Sequence, residues 1–113
     1  MIQPTGVIAS LRTARFPELL AFYTRLLGPP EKTVSGKWAR FKLPGCALVL
    51  WRQANMKPLD GGIQLCLTVA DLDQTCRLLN HQTDISEASH GREAFLRDPD
   101  GNTLILYQPH VVD

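Results

Sequence analysis

A chain of 113 residues is expected to form a single domain over residues 1–113, and a hydrophobic content of 44% is sufficient for a core. The 12 basic and 11 acidic side chains, interpreted as mixed along the chain, give a net charge of +1, which argues against nucleic acid as a partner. The longest apolar runs are much shorter than a membrane span, and the first residues lack the pattern of an export signal. We therefore expect a cytoplasmic protein without a membrane partner.

Hydrophobic periodicity predicts four strands and one helix in the first half of the chain. The strands are expected at residues 6–12, 32–35, 37–43 and 46–52, and the helix at residues 16–27. Gly28-Pro29-Pro30 ends the helix, and Pro44-Gly45 separates the last two strands. The predicted order is βαβββ.

The second half of the chain shows the same order after a linker at residues 55–62. Strands are expected at residues 63–69, 84–88, 92–97 and 103–108. A helix is expected from Leu72 to about Asn80, with Asp71 as its N-cap. The run from Asp98 to Asn102 predicts a tight turn before the last strand.

The two halves correspond to each other at an offset of 56 residues. The correspondence matches Ile8 with Gln64, Gly45 with Gly101, and residues 48–51 with residues 104–107. Because a solenoid needs at least three copies, two copies indicate one folded module used twice. Module one is placed at about residues 6–54 and module two at about residues 62–109, which gives an α+β fold class with two βαβββ modules.

Alternation along the strands assigns two faces to each predicted sheet. One face is aliphatic, with Leu11, Leu50, Leu67 and Leu106, and is expected to pack under the helices. The other face is mixed, as in a ligand cavity, since Arg12 and Gln64 would be costly in a dry core. Its members are Ile8, Ser10, Arg12, Val49, Trp51, Gln64, Cys66, Thr68, Thr103, Ile105 and Tyr107. The alternative is that this face is simply core or a dimer contact.

Other reactive side chains are interpreted as structural. The number of cysteines is odd and no Cys-x-x-Cys pair occurs, so Cys46, Cys66 and Cys76 are expected to be buried and reduced. The histidines at positions 81, 90 and 110 lie in predicted loops or near the chain end. Nothing is typical of a nucleophile with its base or of a phosphate loop, so the catalytic residues, if any, are unknown.

Two motifs carry a family resemblance. They are Phe22-Tyr23-x-x-Leu26-Leu27-Gly28 after the first strand and Phe95-x-x-Asp98-Pro99-Asp100-Gly101-Asn102 before the last strand. With the paired modules, they resemble the glyoxalase, bleomycin-resistance and extradiol dioxygenase superfamily, which has the vicinal oxygen chelate fold. The resemblance covers roughly residues 6–109 and implies a cupped, barrel-like mixed sheet. It also implies a homodimer, with the cavity either within one chain or between two, and modules exchanged between chains in some members.

The resemblance also places the ligands of metal-dependent members on the first and last strands of each module. Here these positions hold Ile8, Val49, Gln64 and Ile105, of which only Gln64 has a donor atom. A catalytic metal needs about three protein ligands. No metal and no cofactor are therefore expected.

The resulting expectation is a metal-independent small-molecule binding protein of the glyoxalase/bleomycin-resistance type, with an unidentified planar or anionic ligand. Trp51 and Tyr107 are placed to bracket a planar ligand by stacking, and Arg12 is placed to meet an anionic group. Two alternatives stay open. One is an enzyme of the same superfamily, a lyase, isomerase or dioxygenase, with a non-standard or absent metal site. The other is a structural or partner-binding module.

Overall fold

A computed structural model describes residues 1–57, 63–79 and 84–110. The chain forms two compact units, Met1–Pro58 and Leu59–Asp113. In the first unit the elements are β1 (Ile8–Thr13), α1 (Phe16–Leu27), β2 (Lys32–Val34), β3 (Trp38–Leu43) and β4 (Cys46–Arg52). In the second they are β5 (Gln64–Thr68), α2 (Leu72–Leu78), β6 (Ser86–Glu87), β7 (Gly91–Arg97) and β8 (Thr103–Pro109). The predicted α+β class is confirmed.

Both units contain a four-stranded mixed sheet of the same topology. The strand orders are β1-β4-β3-β2 and β5-β8-β7-β6. In each sheet the first strand runs parallel to the last, and the other neighbours are antiparallel. A parallel pair requires a long crossover, which the helix and the two intervening strands supply. The predicted βαβββ order is therefore confirmed in both units.

The sequence repeat is reproduced in the register of the parallel strand pairs. Ile8 pairs with Ala47 in the first unit, and Gln64 pairs with Thr103 in the second. Each residue of the second pair lies 56 positions after its counterpart in the first. The offset read from the sequence is thus the offset of two equivalent hydrogen-bonded ladders.

Helix α1 begins and ends where the sequence predicts. Phe16, Leu19 and Tyr23 recur at helical spacing and are buried, the last two completely. Pro17 lies in the first turn, where a missing N–H costs no helical hydrogen bond. Gly28 follows with φ of 86°, a left-handed conformation that favours glycine, and its N–H donates to the Thr24 carbonyl at 2.8 Å.

Helix α2 is short and depends on its cap. The Asp71 carboxylate accepts a hydrogen bond from the Gln74 backbone N–H at 3.0 Å, which confirms the predicted N-cap. Leu72 and Cys76 are its buried residues. The helix ends at Leu78, earlier than predicted, while Asn80 lies outside the described residues.

The aliphatic faces of the sheets pack under the helices, as predicted. Helix α1 contacts β3 and β4, and α2 contacts β7 and β8. Leu50, Leu104 and Leu106 are completely buried. Leu67 is only half-buried, because β5 lies at the edge of its sheet and has a neighbouring strand on one side.

Two expectations from the sequence are corrected. Of the cysteines predicted to be buried, only Cys76 is buried, while Cys46 is half-buried and Cys66 is exposed. Cys66 belongs to the face of β5 that alternates away from α2, so its strand position decides its exposure. Strand β6 contains only Ser86 and Glu87, because pairing with β7 extends over these two residues alone.

The turn before β8 is organised by buried polar side chains. The Asp98 carboxylate accepts hydrogen bonds from the backbone N–H groups of Asp100 and Asn102, both at 2.9 Å, and from the Asn102 side-chain amide at 2.8 Å. Gly101 has φ of 84°. The predicted turn from Asp98 to Asn102 is confirmed, and it sets where β8 begins.

Candidate functional site

The predicted site residues of the first module lie on one face of the first sheet. This first distal face consists of the strand residues directed away from α1. Directly opposed residues share a face, so its members follow from the register: Ile8, Ser10, Arg12, Lys32, Val34, Trp38, Arg40, Lys42, Ala47, Val49 and Trp51. Among the predicted members, Ile8 and Trp51 are exposed, whereas Val49 is buried between Ser10 and Arg40.

A pair of tryptophans dominates one end of the first distal face. Trp38 and Trp51 are directly opposed on β3 and β4, with ring centroids 5.9 Å apart and planes inclined by 38°. Trp51 remains 43% exposed and Trp38 is half-buried. Such a cross-strand pair stabilises a hairpin by itself, but the uncovered indole surface also offers a stacking platform.

Each tryptophan has a guanidinium group near it on the same face. Arg12 is directly opposed to Trp51 on β1, and its Nη1 donates to the neutral Gln53 side-chain oxygen at 3.0 Å. Arg40 follows Trp38 on the same face of β3. Its Nε lies 3.4 Å from a Glu31 carboxylate oxygen but makes no hydrogen bond among the described residues, so this ion pair is poorly aligned.

Charge is segregated between the two units, which corrects the expectation of a mixed distribution. Nine basic and two acidic side chains lie in Met1–Pro58, against three basic and nine acidic in Leu59–Asp113. The net charge of +1 therefore combines about +7 in the first unit and −6 in the second. A near-neutral total does not exclude a strongly basic surface.

The predicted site residues of the second module share a corresponding face. This second distal face, directed away from α2, contains Gln64, Cys66, Thr68, Gly91, Glu93, Phe95, Arg97, Thr103, Ile105 and Tyr107. The three predicted residues on β5 are exposed, and the three on β8 are half-buried. Phe95, which the sequence did not single out for the site, is 44% exposed beside Ile105.

Tyr107 is fixed within its own sheet. Its hydroxyl donates to the His90 carbonyl at 3.0 Å, and its ring covers Gly91. A Cβ atom at Gly91 would lie 2.7 Å from Tyr107 Cε2 and 2.6 Å from the Gln108 carbonyl oxygen. The contacts of Tyr107 therefore explain its position by packing alone. Packing does not explain the exposed part of the Trp51 ring.

A partly exposed ion network lies on the helix side of the second sheet, away from the second distal face. Arg92 donates to Asp73 on α2 at 2.9 and 3.3 Å and to Glu87 on β6 at 2.8 Å. Hydrogen bonding to Arg92 lowers the pKa of Asp73 and raises that of Arg92 itself. The pKa of the Cys76 thiol is raised, mainly by burial. These pKa shifts arise from contacts that hold α2 against its sheet.

Several solved structures resemble this one over almost the whole chain. A glyoxalase/bleomycin resistance protein from Catenulispora acidiphila DSM 44928 has a TM-score of 0.76 at 22% identity, covering 93% of this chain and 98% of that one. An antibiotic-binding protein from Streptomyces sp. CB03234 has 0.72 at 26%, covering 97% and 99%. A bleomycin-binding protein complexed with bleomycin has 0.69 at 23%, covering 96% and 100%. The chain has the vicinal oxygen chelate fold.

Similarity at the level of sequence is much weaker. No family model matches the chain, and no curated protein does. The vicinal oxygen chelate fold hosts unrelated functions, so the function has to be argued from the side chains that line it. Among the described residues, no helix is long and apolar enough to cross a membrane.

The metal positions of the vicinal oxygen chelate fold do not fit a metal in this chain. Ile8, Val49 and Ile105 occupy strand positions on the distal faces, and none has a donor atom. Gln64 supplies one neutral amide, which does not hold a divalent ion by itself. No group of three or more His, Cys, Asp or Glu side chains within residues 1–57, 63–79 and 84–110 is arranged to hold an ion.

A shallow groove of about 610 Å³ lies at the other end of the first sheet from the tryptophans. It is bounded by the segment Thr5–Ile8 and by the β3–β4 hairpin, including Lys42 and Cys46. The groove is wide and open, whereas ligand sites enclose most of a bound molecule. The aromatic pair is therefore the better candidate.

Sequence reasoning missed Trp38, Arg40 and Lys42 as members of the site. The signal was available, because Trp38-x-Arg40-x-Lys42 alternates on β3 just as Val49 and Trp51 do on β4. The register of the β3–β4 hairpin decides which of the two alternating sets on β3 joins the site. The sequence analysis placed a break at Pro44-Gly45 but did not predict that register. Structure places these residues with Arg12 and Trp51.

Proposed function

We propose that this protein is a metal-independent small-molecule binding protein whose ligand stacks on Trp51. The observation that carries the proposal is the indole of Trp51, which is 43% exposed beside Trp38 and opposite Arg12. Aromatic side chains with uncovered surface next to cationic groups provide both stacking and orientation for a planar molecule.

The solved neighbours support binding rather than one particular chemistry. One is a bleomycin-binding protein in complex with bleomycin, and another is described as antibiotic-binding. Their identities of 23% and 26% are too low to transfer a ligand. We therefore propose that this chain shares with them the binding of an organic molecule. The chemical class of that molecule is inferred from the side chains of this chain.

Metal independence follows from donor chemistry. Aliphatic side chains at three of the four metal positions offer no lone pair, so a metal that polarises a substrate has no place on these strands. An enzyme with a non-standard metal site would require donors from elsewhere in the chain, whereas an enzyme without a metal would not. The prediction that the second distal face also contacts the ligand stays a prediction, as do the homodimer and the cytoplasmic location.

The experiment combines native mass spectrometry for a co-purified small molecule with elemental analysis of the same sample. We expect less than stoichiometric nickel, zinc, iron and manganese after mild dialysis, and unchanged thermal stability with chelator, because a metal bound only to the folded state would raise it. About one metal per chain would overturn metal independence and favour the enzyme alternative.

Substitution of Trp51 distinguishes a binding site from mere packing. Trp51→Ala is expected to weaken binding of a stacked ligand by ~1–3 kcal/mol while leaving stability nearly intact. If the residue were core, the loss of stability would be ~3–5 kcal/mol whatever is added to the solution. Trp51→Phe is the matched control, since it retains a stacking ring. A large stability loss with no ligand found would favour a structural module.

A further inference from the structure

We infer that the ligand of the proposed site is a planar aromatic anion, with its ring on the Trp38–Trp51 pair and its charge between the guanidinium groups of Arg12 and Arg40. This inference rests on the proposed function and adds the chemical class of the ligand. Its basis is the arrangement of charge around the tryptophans, which the net charge of +1 does not reveal.

The charges of the first distal face have one sign. Its strand residues include four cations and no carboxylate: Arg12, Lys32, Arg40 and Lys42. Among the residues that the structure describes, one acidic contact reaches these cations, from Glu31 outside the strands to Arg40 at 3.4 Å. Four cations on one side of a small sheet repel one another, so the face favours an anion that neutralises them.

The positions of the two arginines relative to the rings are specific. Arg12, Trp51 and Trp38 form one row across β1, β4 and β3, each directly opposed to the next. Arg40 is the next residue on the same face of β3, about 7 Å further along the strand. An anionic substituent on a ring that covers the tryptophans thus lies within reach of Arg12, beside Trp51, and of Arg40, which follows Trp38 along β3.

The contacts of Arg12 leave its charge available. Within the described part of the chain its side chain donates to Gln53, a neutral amide acceptor, and to no carboxylate. Guanidinium groups bind carboxylates, sulfonates and phosphates through two parallel hydrogen bonds, which fixes orientation as well as charge. A carboxylate can therefore add to the existing Arg12–Gln53 contact without replacing an ion pair.

The acidic second unit does not supply the complementary surface on its own distal face. The charged strand residues of that face are one acid, Glu93, and one base, Arg97. Asp73 and Glu87 instead bond Arg92 on the opposite side of the sheet. Charge complementarity therefore favours a small anion for the first distal face over a matching protein surface made from the second.

The experiment titrates the full chain with three probes of one shape: 2-naphthoate, 2-naphthalenemethanol and 2-naphthylmethylammonium. The readout is the pair of indole N–H signals in a ¹H–¹⁵N spectrum, assigned with Trp38→Phe. We expect 2-naphthoate to shift both signals and to bind about tenfold more tightly than the alcohol, with the ammonium weakest. Its affinity should fall as sodium chloride is raised from about 50 to 500 mM, because salt screens the charges.

Arginine variants test the assigned contacts. Arg12→Gln and Arg40→Gln should each weaken 2-naphthoate about tenfold and leave the alcohol unchanged. The matched control is Arg25→Gln, which removes the same charge from the exposed last turn of α1 and should change neither probe. Unchanged melting temperatures separate these effects from misfolding.

The remaining outcomes are distinct. Equal affinity for the acid and the alcohol overturns the anion inference and leaves stacking intact. Failure of all three probes to move the indole signals overturns both the inference and the proposed site on Trp51. Displacement of 2-naphthoate by a thymidine decamer that binds far more tightly also overturns the inference, and assigns the face to single-stranded nucleic acid.

Discussion

Asn102 and Ile63 are joined by a hydrogen bond from the Ile63 backbone N–H to the Asn102 side-chain oxygen, 2.9 Å long and spanning 39 positions. The same amide donates to the Asp98 carboxylate at 2.8 Å. The turn before β8 thus fixes the start of β5, its parallel neighbour. The motif that carries the family resemblance has a structural task, which explains why its presence says little about catalysis.

Asn102→Ala is expected to destabilise the protein by about 1–3 kcal/mol, because it removes the acceptor of the Ile63 N–H and one donor to the Asp98 carboxylate in a buried turn. Urea unfolding measures the difference. Gln53→Ala is the control, as it removes an exposed amide whose oxygen accepts a hydrogen bond from Arg12. Equal losses for the two would show that the turn does not depend on the Asn102 side chain.

Gly91→Ala is expected to cost about 1–3 kcal/mol by overpacking, since the new Cβ atom would meet the Gln108 carbonyl oxygen at 2.6 Å and the Tyr107 ring at 2.7 Å. Gly6→Ala should be almost neutral, because no heavy atom lies within 4 Å of its Cβ position. Thermal melts compare the two. Tyr107→Ala added to Gly91→Ala should restore only part of the loss, because the backbone oxygen remains.

Leu106→Ala should lower stability by ~2–5 kcal/mol, whereas Gln64→Ala should have little effect. Leu106 is completely buried on the helix side of β8, and Gln64 is exposed on the other face of β5. Chemical denaturation of both variants makes the comparison. Similar midpoints would mean that the faces of the second sheet are assigned backwards.

Asp73→Asn should lower stability near neutral pH, and the difference from the unmodified protein should disappear on acidification. Hydrogen bonds from Arg92 hold the pKa of Asp73 below its usual value of 3.8. A carboxylate with a lowered folded-state pKa stabilises the protein above pH 3.8 and loses this effect as pH falls through the folded-state value.

Melting temperatures between pH 3 and pH 7 test this dependence. Glu18→Gln, which removes an acid from the first turn of α1, is the control and should not reproduce the profile of Asp73→Asn. A constant difference between Asp73→Asn and the unmodified protein down to pH 3 would contradict the role assigned to the ion pair.

The sequence was most informative where one local feature fixes one element. Helix α1 has its predicted ends because Pro17 and Gly28 leave no alternative there, and β4 matches the predicted residues 46–52. The 56-residue correspondence read from the sequence recurs as the offset between the registers of β1–β4 and β5–β8. The family resemblance assigned the metal positions, and the residue types alone show that three of the four are aliphatic.

The composition of the candidate site depended on the tertiary structure. Trp38 joins Trp51 only because the β3–β4 turn sets the register of that hairpin, and a shift of one residue would turn Trp38 to the other face. Cys66 was predicted to be buried from its apolar neighbours in the sequence, but it is exposed. Its burial depends on which elements cover β5, and local hydrophobicity does not indicate these. The Tyr107 ring packs over Gly91 and its hydroxyl donates to the His90 carbonyl, and these residues lie sixteen and seventeen positions away in the sequence.

The sequence by itself therefore determined the modules, their order and the lack of donor atoms at three of the four positions that the family resemblance assigns to metal ligands. These properties belong to residue types and local periodicity. Only the tertiary structure decided that four cations and two tryptophans share one face of the first sheet. Their arrangement is a property of strand pairing between distant residues, because each strand alone gives two alternating faces and the pairing alone determines which of them meet.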